Sequence, residues 1–214
     1  MWRAITTVLI LAFTILAAPA QKILFASDFS HGIANGWQNV AFFKTPTDYQ
    51  LHHEGTNSFV RGVAVKTCSA LSMKLDVPPP SKMILRWRWR IQGVNPNGSE
   101  RDLQKFDHAA RVFVAFDTFI GPPRTINYLW GDVEPAGTVL EHPKSGRAQI
   151  FVLESGNGKA GQWVNEERDV TRDWQRAFPG KAMPAVVGIG VMTDSDSLGM
   201  KLTGDYADIK LIAE

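Results

Sequence analysis

The 214-residue chain carries 23 Lys and Arg against 21 Asp and Glu, a net charge of +2, so its electrostatics give no reason to expect nucleic acid as a partner. Cys68 is the only cysteine, which excludes an internal disulfide and leaves stability to an apolar core. A chain this long buries about 70% of its unfolded surface, enough to sustain one domain without staples.

Residues 1–20 read as a secretory leader. Arg3 supplies the positive start, Ala4 to Ala17 form an apolar run too short to span a bilayer comfortably, and Ala18-Pro19-Ala20 reads as a cleavage site. The mature chain is therefore expected to be one domain, residues 21–214, in the periplasm or outside the cell. No Cys follows the site, so no stable membrane anchor is expected after cleavage.

Beyond the leader the period is two. Strand-like runs bounded by Gly, Pro, Asn or Asp recur at 22–29, 37–43, 48–53, 58–66, 70–77, 82–91, 108–117, 125–130, 148–154, 163–168, 186–193 and 201–212. This number and spacing predict an all-β fold, a two-sheet sandwich of jelly-roll type, with the first and last strands side by side. Cys68, among apolar neighbours, reads as a small buried hydrophobe. Pro78-Pro79-Pro80 marks a connection.

Leu85-Arg86-Trp87-Arg88-Trp89-Arg90-Ile91 alternates most sharply, with Leu, Trp and Ile on one face and three arginines on the other. Arginines at i and i+2 stand about 7 Å apart and repel by roughly 2.4 kcal/mol at an effective dielectric of 20. That face is therefore either solvated or met by carboxylates. Residues 92–106, with the turn Asn95-Pro96-Asn97-Gly98, form the longest polar stretch and a candidate binding rim. In the next strand Ala110, Val112, Val114 and Phe116 read as core, which leaves Asp107, Ala109, Arg111, Phe113, Ala115 and Asp117 opposite. A polar face carrying Arg86, Arg88, Arg90, Asp107 and Arg111 would suit sugar hydroxyls or carboxylates. The alternative is a lattice of structural ion pairs. Tyr128 and Trp130 share one face of a short strand, where exposed rings would stack on sugars and buried ones would be core.

Further on, Gly156-x-Gly158-x-x-Gly161 matches a dinucleotide fingerprint without the following helix, and is read as a loop. Val170, Trp174 and Phe178 lie on one stripe of a helix over 170–178, started by Asp169 or Thr171 and stopped by Pro179-Gly180. Asp194-x-Asp196-x-x-Gly199 opens like a calcium loop, but Leu198 breaks it and the flanks are strands, so a polar hairpin loop is the simpler reading. Another arrangement would place a structural Ca2+ between Asp28 on the first strand and Asp208 or Asp205 on the last. Carboxylates able to cleave a glycosidic bond include Asp107 and Glu154, whereas Glu166 and Glu167 read as solvated edge charges.

Several ordered motifs carry a resemblance. They are Trp87-Arg88-Trp89-Arg90, Asp107 through Val114, Ile126 through Gly131, Val152 through Gly156, Trp163 through Asp169, Val191 through Asp196, and Gly204 through Ile209. Together they resemble the bacterial exported family catalogued as domain of unknown function 3047, weakly before residue 70 and strongly from about 84 onward. His108 stands where that pattern has a second Asp, Ser197-Leu198 replaces Asn-Thr, and Pro179 replaces Gly. The resemblance implies an exported β-rich domain and no particular activity. On the residues alone, the leading function is a non-catalytic binding module for carbohydrate or another polar or acidic envelope ligand. The alternatives are a glycan-cleaving enzyme using Asp107 and Glu154, and an envelope structural or protein-interaction domain.

Overall fold

The computed structural model describes residues 21–41 and 45–214; the leader and the end of the predicted 37–43 strand lie outside the described residues. One sheet is ordered β11 (Val164–Asp169), β6 (Met83–Ile91), β13 (Leu202–Ala213), β4 (Asn57–Ala64) and β3 (Asp48–Glu54), with β1 (Lys22–Ser27) also on β13. The other is ordered β2 (Trp37–Ala41), β5 (Ser69–Val77), β12 (Val186–Met192), β7 (Arg111–Phe116), β8 (Arg124–Gly131), β10 (Ser145–Ser155) and β9 (Val139–His142). The chain is thus a two-sheet β-sandwich of jelly-roll type, and its first and last strands pair antiparallel. Among the described residues no helix is long and apolar enough to cross a membrane.

Alternation places the core. Leu85, Trp87, Trp89 and Ile91 of β6 are buried, as are Val112, Val114 and Phe116 of β7. The sheets meet through aromatic rings: Trp87 lies 5.3 Å from Tyr128 and Trp89 lies 5.7 Å from Trp130, centroid to centroid. Tyr128 and Trp130 are therefore core, not stacking platforms. Their polar atoms are satisfied inside, Tyr128 donating to Asp173 at 2.9 Å and Trp130 Nε1 to the Gly156 carbonyl at 3.0 Å.

The helix forms as its stripe predicts. In α1 (Val170–Ala177), Val170 and Trp174 are buried, and Phe178 just beyond joins them against the end of the sandwich. Asp169 caps it by accepting from the Arg172 N–H at 2.9 Å. β9 was not predicted. It has four residues between Pro135-Ala136-Gly137 and Pro143, too few to show a period, and forms because β10 offers it an edge.

β13 pairs with β6 along its length, with β4 over its first half and with β1 over its second. The exchange occurs at a register shift between Ala207 and Lys210, where Asp208 takes φ = 53°. Asp tolerates this left-handed conformation better than most residues, because its short side chain can bond locally.

The arginine face is not a ligand surface shared with β7. β6 lies between β11 and β13, while β7 belongs to the other sheet, so Arg86, Arg88 and Arg90 emerge on the opposite side of the sandwich from Arg111. The 92–106 connection crosses between sheets, and it is distant strands that bring carboxylates to the arginines. Arg86 meets Glu167 at 2.6 Å, Arg88 meets Asp208, and Arg90 meets both Glu54 and Asp205 at 2.7 Å. Asp205 is fully buried and is also gripped by Arg61 through two bonds of 2.7 and 2.9 Å. The ion-pair lattice is the arrangement found.

Glu166 is not a solvated edge charge. It is half-buried, accepts from Trp89 Nε1 at 3.1 Å, and burial raises its carboxyl to about 7. A raised carboxyl binds its proton more tightly folded than unfolded, so its contribution to stability is greatest below about pH 4.5 and is lost as pH rises towards 7. In Glu166→Gln the thermal midpoint should gain on the parent at pH 8 and gain little at pH 4.5; equal gains at both would refute the shift. Trp89→Ala should cost about 3–5 kcal/mol in urea unfolding, as loss of a fully buried ring in a packed core does.

Candidate functional site

The non-core face of the seven-stranded sheet is where a cavity forms. β7, β8, β10 and β12 supply a floor that includes Arg111, Phe113, Asn127 and Met192, and the cleft above it encloses about 550 Å³. Phe113 can lie flat there because Gly190 on β12 has no side chain; a Cβ at that position would overlap the ring. One wall is the predicted rim, with Leu103, Gln104 and Phe106. That stretch is seated on the sheet by a second apolar cluster of Phe106, Leu129, Leu140, Ile150 and Val152. His142 and Lys144 close one side, and Cys68, Asp194, Asp196 and Ser197 the other.

The loop carrying Asp194 is fastened from several directions. Thr193 donates to the Ala109 carbonyl at 2.9 Å and its own carbonyl accepts from Thr47 at 2.8 Å. The Ser195 hydroxyl accepts from the Lys66 N–H at 2.8 Å. Asp107, fully buried, accepts from the backbone N–H groups of Ser197 at 2.8 Å and Leu198 at 2.6 Å. This is a crossing between sheets, β12 to β13, and not the hairpin expected from the sequence.

Asp194 is thereby presented to Arg111. The guanidinium Nη2 lies 3.3 Å from Asp194 Oδ1, and the group sits over the Phe106 ring at 5.1 Å. Arg111 is 6% exposed, and its Nε is buried without a hydrogen-bond partner. Burial raises the Asp194 carboxyl to about 7 against the pull of Arg111. Burial likewise pushes the Cys68 thiol up to about 12, so it is no thiolate nucleophile at neutral pH, and lowers His142 to about 4, so its ring is neutral there. The cleft thus offers a fixed cation, amide and carboxylate groups, and apolar rings.

Of the ligand residues predicted from sequence, only Arg111 lines this cleft. Arg86, Arg88 and Arg90 belong to the lattice on the other side, Tyr128 and Trp130 are core, and Asp107 holds the 194–198 loop from below. Asp107 and Glu154 do not share the cleft, and Glu154 is bonded to Lys159 at 2.6 Å. The acids considered for calcium are also engaged: Asp28 with Ser30, Asp208 with Arg88, and Asp205 with Arg61 and Arg90. Among the described residues, two other groups of three side chains bring their donor atoms within 4.8 Å of one another: Cys68, Asp194 and Asp196, and Glu100, His108 and Asp132. Sequence reading missed Asn127, Asp194 and His142 as cleft residues. The one signal was that Asn127 shares strand parity with Thr125, opposite the core-facing Ile126 and Tyr128.

A family model described as "Protein of unknown function (DUF3047)" matches residues 35–210. No curated protein matches the sequence. Among solved structures, the chain is similar to a family 11 carbohydrate-binding module from Clostridium thermocellum in complex with a beta-1,3-1,4-mixed-linked tetrasaccharide, at 12% identity over 92% of this chain and 98% of that one, TM-score 0.49. It is also similar to the cellulose induced protein Cip1, at 12% identity over 87% and 96%, TM-score 0.48. A third is the K3 cleaved adhesin domain of Lys-gingipain from Porphyromonas gingivalis, at 9% identity over 90% and 100%, TM-score 0.47. At these identities and scores no ligand is inferred from the likenesses.

If Asp107 is a loop anchor, Asp107→Ala leaves two backbone N–H groups without an acceptor. It should cost about 1–3 kcal/mol in urea unfolding. Asp107→Asn, which keeps one acceptor oxygen, should cost less. A solvent-facing acid would change stability by no more than about 0.5 kcal/mol.

Proposed function

The chain belongs to the family described as protein of unknown function (DUF3047), and we propose that it is an exported, non-catalytic module that binds a carbohydrate, neutral or bearing a carboxylate, in the Arg111 cleft. The observation that carries this reading is a buried guanidinium with an unpartnered Nε, paired with Asp194 over the Phe106 ring in a cleft also lined by Asn127 and Phe113. Sugars present hydroxyls around apolar ring faces, and a site of mostly apolar surface with a few fixed polar groups matches that pattern. A sugar carboxylate would add a charge-assisted bond to Arg111. The non-catalytic part is supported by the state of the cleft's chemistry. Its thiol is held protonated, and Asp107 and Glu154 lie outside the cleft in other bonds. Export is supported by the leader pattern of residues 1–20.

A thermal-shift screen against neutral glycans and uronates tests this. A sugar at a hundred times its dissociation constant adds about 2.7 kcal/mol and should raise the midpoint by roughly 5–10 °C. The shift should vanish in Arg111→Ala and Asn127→Ala and persist in Arg88→Ala, on the opposite side. A shift that survives both cleft variants, or no shift with any sugar, would refute the cleft reading. Release of shorter glycans would refute the non-catalytic one.

A further inference from the structure

Beneath the rim of the cleft lies a second cluster of polar side chains. Glu100 comes from the 92–106 stretch, His108 from just before β7 and Asp132 from just after β8, and all three are buried. His108 Nε2 stands 4.0 Å from Glu100 Oε1 and 4.0 Å from Asp132 Oδ2, and donor atoms of the three residues lie within 4.8 Å of one another. Neither nitrogen of His108 has a hydrogen-bond partner, and neither has Asp132 Oδ2.

Two buried carboxyl groups stand here with no Lys or Arg paired to either among the described ion pairs. Buried carboxylates are ordinarily paired with a cation or bound to a metal, because an isolated buried charge is too costly. Arg111, whose charge acts on His108, bonds to Asp194, and Arg101, next to Glu100, bonds to Glu134. A dication between two carboxylates and a neutral imidazole would bring the cluster to zero net charge.

The two carboxylates have a supporting shell, whereas the His108 ring is held by packing alone, with no bond to its second ring nitrogen. The Glu100 carboxylate is oriented by the backbone N–H groups of Asp132, Val133 and Glu134. Asp132 Oδ1 accepts from the Asn95 N–H at 3.0 Å, and the His108 ring is set edge-on to Phe106 at 4.4 Å. Gly98 lies against Asp132 so closely that a Cβ would collide with the carboxylate. Ligands are held in such orientations at metal sites by bonds from the surrounding protein.

We propose that Glu100, His108 and Asp132 bind one divalent transition-metal ion of the Zn2+ or Mn2+ class, fastening the 92–106 rim to the ends of β7 and β8. The donor set decides the class. One imidazole with two carboxylates suits borderline first-row ions, whereas Ca2+ seeks six to eight oxygens. Ligands about 2.1 Å from a tetrahedral ion stand about 3.4 Å apart, so binding draws the ring and each carboxylate together by about 0.6 Å. This site is separate from the calcium arrangement considered for Asp28, Asp205 and Asp208, and it does not depend on what the cleft holds.

The test is calorimetric titration of chelator-stripped protein with Zn2+ and with Mn2+, alongside thermal unfolding with each ion. One equivalent should bind, with a midpoint rise of several degrees at saturation. Affinity should fall at least tenfold in Asp132→Asn, which keeps shape and removes charge, and be unchanged in Asp28→Asn. Anomalous diffraction at the zinc edge from Zn2+-soaked crystals should place a peak between the three side chains; this measurement needs no variant to fold. Any of four outcomes overturns the proposal: no binding of either ion, full affinity in Asp132→Asn, stabilisation by Ca2+ alone, or density of a water with no anomalous signal.

Discussion

The structure hangs on the alternation of β6. A strand turns successive side chains to opposite faces, so with Trp87 and Trp89 on one side, Arg88 between them falls on the other. The tryptophans meet Tyr128 and Trp130 and thereby join the two sheets. That commits Arg86, Arg88 and Arg90 to the outside of the six-stranded sheet, where their mutual repulsion needs an answer. β11, β13 and β3 answer with Glu167, Asp208, Asp205 and Glu54. Core packing and surface pairing are two consequences of one period.

Asp205 shows how tightly the two are coupled. A carboxylate with no solvent exposure is tolerable only when its charge and lone pairs are taken up, and Arg61 and Arg90 do both. This ties β4 and β6 to β13 through side chains as well as through the ladder. Among the described residues, the opposite side of the sandwich carries no such lattice. There the seven-stranded sheet presents small residues, Gly190 and Ala148 among them, and a cleft opens above.

The cleft has a floor of strands and walls of loops, and its precision depends on what holds those loops. Asp107 holds the 194–198 segment, the Phe106 cluster seats the rim, and the proposed metal site lies under the same rim. Binding sites on loops need such support, because a displaced polar group loses its bond while still incurring its desolvation. Burial acts on three of the cleft's ionisable groups, holding the Cys68 thiol protonated and the His142 ring neutral and raising the Asp194 carboxyl to about 7.

By itself the sequence determined what is local. Twelve of the thirteen described strands, the helix with its Asp169 cap and the inward face of β6 and β7 could be read from it, since period and capping involve only neighbours along the chain. Tyr128 and Trp130 left two readings open, because period two says that residues share a face without saying what covers it. Which strands lie side by side was decided only by the tertiary structure. Arg88 faces Asn165 and Ala207 across its two ladders, partners far along the chain, and no local pattern encodes that choice. The grouping of Arg88 with Arg111 therefore failed, and Asn127, Asp194 and His142 met at one cleft unannounced. A binding site is a property of which surfaces adjoin, and that is set when the whole core closes.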